Sequence, residues 1–280
     1  MKFILSGARD MVELSREQYH CVRALFPSQE EYVEPKAVTD LSNPGWVFAD
    51  STTQPEAALI WAQGNIGFYF LGTFDPQRAE NVNRVIDTII VPRLAAKKIE
   101  YFEFSSVPPV TDTDLENIFK SRKLYSWKQT VYQYKKGKTI PLITPLEGRL
   151  CDIKDVGKKY PVENMDFVNK KILNYWDSID TFHAKANGYC LIIDNIAASL
   201  AITGWIAGNT HEISIETLDN YRRRGYAKIC ASALINCHLQ KGYLPHWECE
   251  SANIASAKLA QGFDFTKLND YLCYGFKVNE

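Results

Sequence analysis

The chain has 280 residues, with 32 Lys and Arg against 33 Asp and Glu, a formal net charge of −1 and 46% hydrophobic residues. That is enough apolar material for one large or two medium cores, which excludes wholesale disorder, and there is no global field to draw in nucleic acid or an acidic membrane. The seven cysteines form no CxxC pair and no zinc-finger spacing, the first apolar run is too short for a signal peptide, and no stretch of about 20 apolar residues follows. The expectation is a cytoplasmic, soluble protein with buried free thiols, no metal, no nucleic-acid or membrane partner, and a monomeric or homodimeric state.

Residues 9–27 carry Val12, Leu14, Tyr19, Val22, Leu25 and Phe26 among charges and read as a helical entry ended by Pro27. A polar, Pro-punctuated passage runs to Pro44 and Gly45, and then 46–49, 57–62 and 65–73 read as strands of an antiparallel meander. Residues 78–97 have helical spacing, with Val82, Val85, Ile86, Ile89 and Ile90 inward and Pro92 as a kink or break near the end. A strand at 99–104, a helix at 113–120 and an alternating strand at 125–134 complete the first half. The basic, glycine-bearing run 135–138 is the expected boundary, giving domains 1–137 and 138–280. The second half reads as an interrupted strand at 139–152, a helix over 162–182 and strands at 189–193 and 197–205. A strand at 211–218 follows, then a loop and a helix to 241, a strand at 245–249, a helix at 253–260 and a last strand at 271–278.

The halves match by offset. A shift of 144 aligns Trp61 with Trp205, Gly64 with Gly208, Thr73 with Thr217, Asp75 with Asp219, Arg78 with Arg222 and Lys97 with Lys241; one further step aligns Glu103 with Glu248. The order strand, loop, helix, strand repeats with them, as duplication of one folding unit would leave it. The copies differ where Arg223, Arg224 and Gly225 of the second half stand against Ala79, Glu80 and Asn81 of the first.

Arg222, Arg223 and Arg224 precede a helix whose start already carries partial positive charge. Two readings fit: a solvated helix end, or an anion site in which free N–H groups and the arginines converge on a phosphate and Gly225 lets it approach. The run Arg222-Arg223-Arg224-Gly225-Tyr226-Ala227 resembles the Arg/Gln-x-x-Gly-x-Gly/Ala signature of the GNAT superfamily of N-acetyltransferases. The strand before it and the Trp247, Asn253, Ser256, Gly262, Phe263 series after it resemble the tandem-domain GNAT family that includes zwittermicin-type resistance enzymes. The specific match covers about residues 186–277.

The resemblance implies an α/β fold of the α+β type: two tandem GNAT-like domains, each a mixed, mostly antiparallel sheet flanked by helices, the first copy degenerate. It implies acetyl-CoA as co-substrate, its pyrophosphate on the main chain of Arg222, Arg223, Arg224, Gly225, Tyr226 and Ala227, and its pantetheine arm beside Ile215, Thr217 and Leu218, with Asn253 and Ser256 assisting. Asn253 also reads as a plain helix cap.

For a base, Glu212 and Glu216 share a strand face, with Glu248 in reserve; a partly desolvated carboxylate there would have a raised pKa. His211 reads as a proton relay or a surface residue. The family's usual acid tyrosine is replaced by Lys258, leaving Tyr271 or Tyr274, or no enzyme acid. The expected function is acetyl transfer to a primary amine of a small molecule through a ternary complex. A non-catalytic acyl-CoA sensor is the alternative.

Overall fold

The computed structural model describes residues 10–28, 32–64, 67–134 and 140–278. Period-two alternation and β-branched or aromatic residues produce the strands. In the first half these are β1 (Val12–Glu13), β2 (Gly45–Ala49), β3 (Ala57–Ala62), β4 (Gly67–Gly72), β5 (Tyr101–Ser106) and β6 (Tyr125–Tyr134). In the second they are β7 (Arg149–Asp152), β8 (Gly188–Ile193), β9 (Ile196–Ala207), β10 (Thr210–Thr217), β11 (Leu244–Glu250) and β12 (Phe265–Lys277). All join in one sheet of order β1-β2-β3-β4-β5-β12-β6-β11-β10-β9-β8-β7. Its pairs are antiparallel except β4 with β5 and β10 with β11.

That order is a palindrome of two equivalent halves in which the last strands have changed places. β12 lies between β5 and β6, in register from Cys273 opposite Ser105 to Lys277 opposite Tyr101, while β6 pairs with β11 from His246 opposite Gln133 to Glu250 opposite Gln129. The expected boundary at 137 falls outside the described residues. To either side of it, each half lends its final strand to the other, so division along the sequence is not division in space.

Helices cover both faces. On the outside of the first half lie α2 (Pro76–Val85), a single widened π turn (Ile86–Ile90), α3 (Val91–Ala96) and α4 (Asp112–Ile118). The π turn directly precedes Pro92, whose ring crowds the carbonyl four residues back, so the expected break appears as a widened turn. Outside the second half lie α7 (Tyr226–Gln240) and α8 (Ile254–Gln261).

Inside lie a 3-10 segment (Arg16–Leu25), α1 (Val33–Thr39), α5 (Met165–Tyr175) and α6 (Ile179–Lys185). Their core draws on both halves, with Val22 and Ile60 in one cluster with Trp176, Leu200 and Trp205. The expected single helix at 162–182 is two, because Ser178 turns the chain and caps α6 through Thr181 N–H at 3.0 Å. α1 stands where a polar passage was expected; Pro35 falls in its first turn, where no N–H is required.

Asn43 ties the halves together. Fully enclosed, its side-chain amide donates to Tyr175 O (3.1 Å) and Gly204 O (2.9 Å) and its carbonyl accepts from Ile206 N–H (3.0 Å). Asn43→Ala takes this partner from two buried carbonyls and one half-buried N–H, and urea unfolding is expected to show a loss of about 3 kcal/mol.

Candidate functional site

In the second half two neighbouring strands part. β10 follows β9 to Thr217 opposite Ser199, but its parallel pairing with β11 ends at Glu212 opposite His246. A bulge between His211 and Ile213 bends β10 at that point. The gap is a cleft of about 250 Å3 that reaches from Glu212 and Glu248 to Asn253 and Ser256. In the first half β4 and β5 stay paired to Phe70 opposite Ser106, and Val107 N–H closes on Phe70 O at 2.9 Å.

From the mouth of the cleft a groove of about 560 Å3 passes Ile215 and Trp247 to the start of α7. Gly225 caps that helix with φ 81° and no side-chain hydrogen bond, and a Cβ added there would meet nothing within 4 Å. The first main-chain bond of the helix is Lys228 N–H to Gly225 O at 3.0 Å, which leaves the N–H groups of Arg223, Arg224, Gly225, Tyr226 and Ala227 open to an anion, whereas that of Arg222, expected among them, is taken by Asp219 O at 3.3 Å. Arg222 is held by Thr217 O (3.3 Å) and Asp219 (2.9 Å), and Arg224 lies over the Tyr221 ring. The first half has the opposite arrangement. There α2 begins at Pro76, is capped by Asp75 through Arg78 N–H (2.8 Å), and winds Ala79, Glu80 and Asn81 into its first turns. Arg78 is spent on Asp50 (2.8 Å), Asp75 (3.1 Å) and Glu56.

At the inner end of the cleft three carboxyl groups are buried: Glu212 at 6% exposure, the Glu248 side chain at 4% and Glu34 of α1 at 2%. The Tyr271 hydroxyl donates to Glu248, and the Tyr69 hydroxyl bonds Glu34. Burial raises Glu248 to about 7, against the Tyr271 bond that lowers it. Burial, then the Glu248 charge, raises Glu34 to about 8. Glu212 is raised by burial and by both neighbouring carboxylates, against the pull of Lys171. The charge on Glu248 raises both Glu34 and Glu212, so their titrations are linked to its own.

Sequence and fold comparisons agree with this geometry. The profile of the GNAT acetyltransferase family matches residues 23–274. The chain belongs to that family. It is 24% identical over 267 residues to the uncharacterized N-acetyltransferase YdfB of Bacillus subtilis strain 168, covering 94% of this chain and 97% of that one. Its fold is similar to a GCN5-related N-acetyltransferase-like protein of Streptococcus suis 89/1591 (TM-score 0.66, 18% identity, 93% and 98% of the two chains). It is also similar to a tandem GNAT protein from the clavulanic acid biosynthesis pathway (TM-score 0.55, 10% identity, 96% and 99%). The expected tandem GNAT fold is thus the observed one. Among the described residues no helix is long and apolar enough to cross a membrane.

Within this GNAT frame the expected site residues fall into separate groups. Glu212 joins the buried cluster. Glu216 shares its strand face but sits at the mouth, 45% exposed and 3.4 Å from Lys171, outside the cluster. Alternation along β10 turns the main-chain groups of Ile215 and Thr217 away from β9 toward the gap. Leu218 differs from the expectation: its N–H is bonded to Ala198 O (3.0 Å) and its carbonyl to Tyr221 N–H (2.8 Å), so neither is left for a ligand.

Asn253 acts as the cap of α8, accepting from Ser256 N–H at 3.1 Å, while the Ser256 hydroxyl accepts from Trp247 Nε1 at 3.0 Å. Both residues still line the groove. Tyr226 is packed in the core with its hydroxyl on Glu147, leaving only its main chain at the helix start. Tyr274 packs on Phe104 in the first-half core, centroids 5.8 Å apart, and is removed from the chemistry.

His211 is not on the surface. It is buried and stacked on Tyr243 at 3.8 Å, and burial lowers its pKa to about 4, which makes it a neutral spacer. Glu34 was not foreseen from the sequence; its one signal is a carboxylate between Val33 and the apolar pair Ala37 and Val38.

Proposed function

We propose that this GNAT protein transfers an acetyl group from acetyl-CoA to a primary amine of a small molecule, with both substrates bound at once. The observation that carries the reading is a coincidence confined to the second half. Strands β10 and β11 part, the helix start at Gly225 is uncapped, and the gap between the two features ends on buried carboxyls.

The residues fit such a donor. The N–H groups of Arg223, Arg224, Gly225, Tyr226 and Ala227 hold a diphosphate, the arginines add counter-charge, and the edge of Ile215 with the Thr217 N–H, the Thr217 carbonyl being already taken by Arg222, accepts an extended amide-bearing arm as an added strand. Acetyl-CoA, when bound, supplies an acyl carbon that an unprotonated amine can attack. Glu248 and Glu212 take the proton that an ammonium must lose, and the Tyr271 hydroxyl fixes the Glu248 carboxylate. Burying three carboxyls is costly, and a pure acyl-CoA sensor has no use for them.

Calorimetry with acetyl-CoA and a thiol-release assay over primary amines test the proposal; absence of donor binding would overturn it, and binding without any turnover would favour the sensor. The base must be ionised to act. Its raised pKa near 7 therefore predicts a kcat/KM that falls as pH drops below 7 and levels off above it.

A further inference from the structure

A second cavity, of about 440 Å3, lies against β4, β5, β12, β6 and β11 and shares Gln129 and Glu250 with the cleft. The exchanged strands build its floor. Glu103, Gly275 and Tyr125 stand in one row across β5, β12 and β6, and Tyr271, Gln129 and Glu250 in another across β12, β6 and β11. A Cβ at Gly275 would collide with the Tyr125 ring, so only glycine lets Tyr125 cross the middle strand and donate to Glu103 at 3.2 Å. Tyr125 also stacks on Trp127, centroids 5.5 Å apart and planes 18° from parallel, which gives the cavity a flat aromatic wall.

The chemistry along the path from this cavity into the cleft is one-sided. Gln129 Oε1, Glu248 Oε2 and Glu212 Oε2 are buried atoms without a hydrogen-bond partner among the described residues, and Glu212 and the Glu248 side chain are each more than nine-tenths buried. The Gln129 oxygen is an acceptor and so are the two carboxyls once ionised, with Glu248 Oε2 also facing His246 Nε2 at 3.7 Å. At the outer end Glu103 and Glu250 line the same wall, and Glu103 is raised by its burial and by the Glu250 charge, against the Tyr125 bond that lowers it. An occupant has to bring N–H donors to the inner end, and positive charge to an outer end walled by aromatic faces.

We propose that this cavity is the acceptor subsite and that the acceptor is an aliphatic molecule with two ammonium groups. One is held by Glu103 and Glu250 against Tyr125 and Trp127; the other is presented to Glu212 and Glu248. The assignment rests on the acyl-transfer reading above. The inner ammonium gives one proton to the carboxylate cluster, its nitrogen bonds to the acetyl carbon as the carbon–sulfur bond breaks, and its second proton ends on the released thiol. The outer ammonium is unchanged.

The test uses the full chain with α,ω-diamines from 1,3-diaminopropane to 1,8-diaminooctane beside monoamines of matched length. Thiol release is measured with acetyl-CoA, and diamine binding by calorimetry without it. The best diamine is expected to exceed its monoamine in kcat/KM by about 10- to 100-fold, the range one charge-assisted contact supplies. Glu103→Gln should erase that margin, with the loss carried by KM rather than kcat, and weaken diamine binding to the same degree. Equal kcat/KM for diamines and monoamines, or a Glu103→Gln variant with parental diamine KM and affinity, overturns the subsite. Glu103-dependent diamine binding with no thiol released from any amine would instead remove the acyl-transfer reading and leave the subsite standing.

Discussion

Replacing Arg222 and Gly225 together by glutamate is expected to weaken acetyl-CoA binding by at least about 100-fold in calorimetry, with the fold retained. The helix start at Gly225 has no side-chain cap and open space where a Cβ would stand. A carboxylate there does to α7 what Asp75 does to α2: it occupies the free N–H groups from within the chain. Its charge and that of the former arginine then repel the diphosphate as well. Glutamate at φ 81° adds strain of about 1–2 kcal/mol, too little to unfold a chain of this size. Parental affinity in a variant with a parental circular dichroism spectrum would sink the diphosphate site.

Glu248→Gln should lower kcat by about 10²- to 10⁴-fold while acetyl-CoA affinity stays within about threefold. The amide keeps the shape and can still accept from Tyr271, but it cannot take a proton. Stability should move the other way. A carboxyl with its folded pKa raised to about 7 binds its proton more tightly folded than unfolded, so it costs stability as pH rises through 7. The variant is therefore expected to melt no lower than the parent at pH 8, and its loss of rate cannot be ascribed to unfolding. Glu212→Gln should lower kcat as well, because Glu212 lines the same inner end of the cleft as Glu248. A kcat within twofold for both variants would remove the cluster from the reaction.

Much of this was legible in the residues because local rules and tertiary packing agree there. The alternation in β10, the change to helical period after Gly225 and the strands matched by the offset of 144 survive in the structure, but Trp61 packs in the outer core of the first half and Trp205 in the inner core shared by both halves. The misses have physical causes. Pro35 reads as punctuation, yet the first turn of a helix tolerates it, and that turn carries Glu34 into the cluster. Leu218 lies one residue past the end of β10, where β9 claims its N–H through Ala198 O and the turn into the 3-10 segment Asp219–Tyr221 claims its carbonyl. The rank of Glu248 over Glu216 depends on Lys171, which reaches Glu216 from α5, and on Tyr271, which reaches Glu248 from β12, itself placed beyond β6 by the crossing. No periodicity reports such a crossing.

The crossing itself bears on how the molecule can come into being. Made separately, the segment before residue 135 would carry β6 with no β12 beside β5, and the segment after 139 would carry β12 with no β6 beside β11; each would present bare edges ready to pair with a stranger. β5 gains its second neighbour only when β12, a long way further along the chain, is available to place Cys273 opposite Ser105. Through that trade of strands neither half has a complete sheet of its own, and the two mature together.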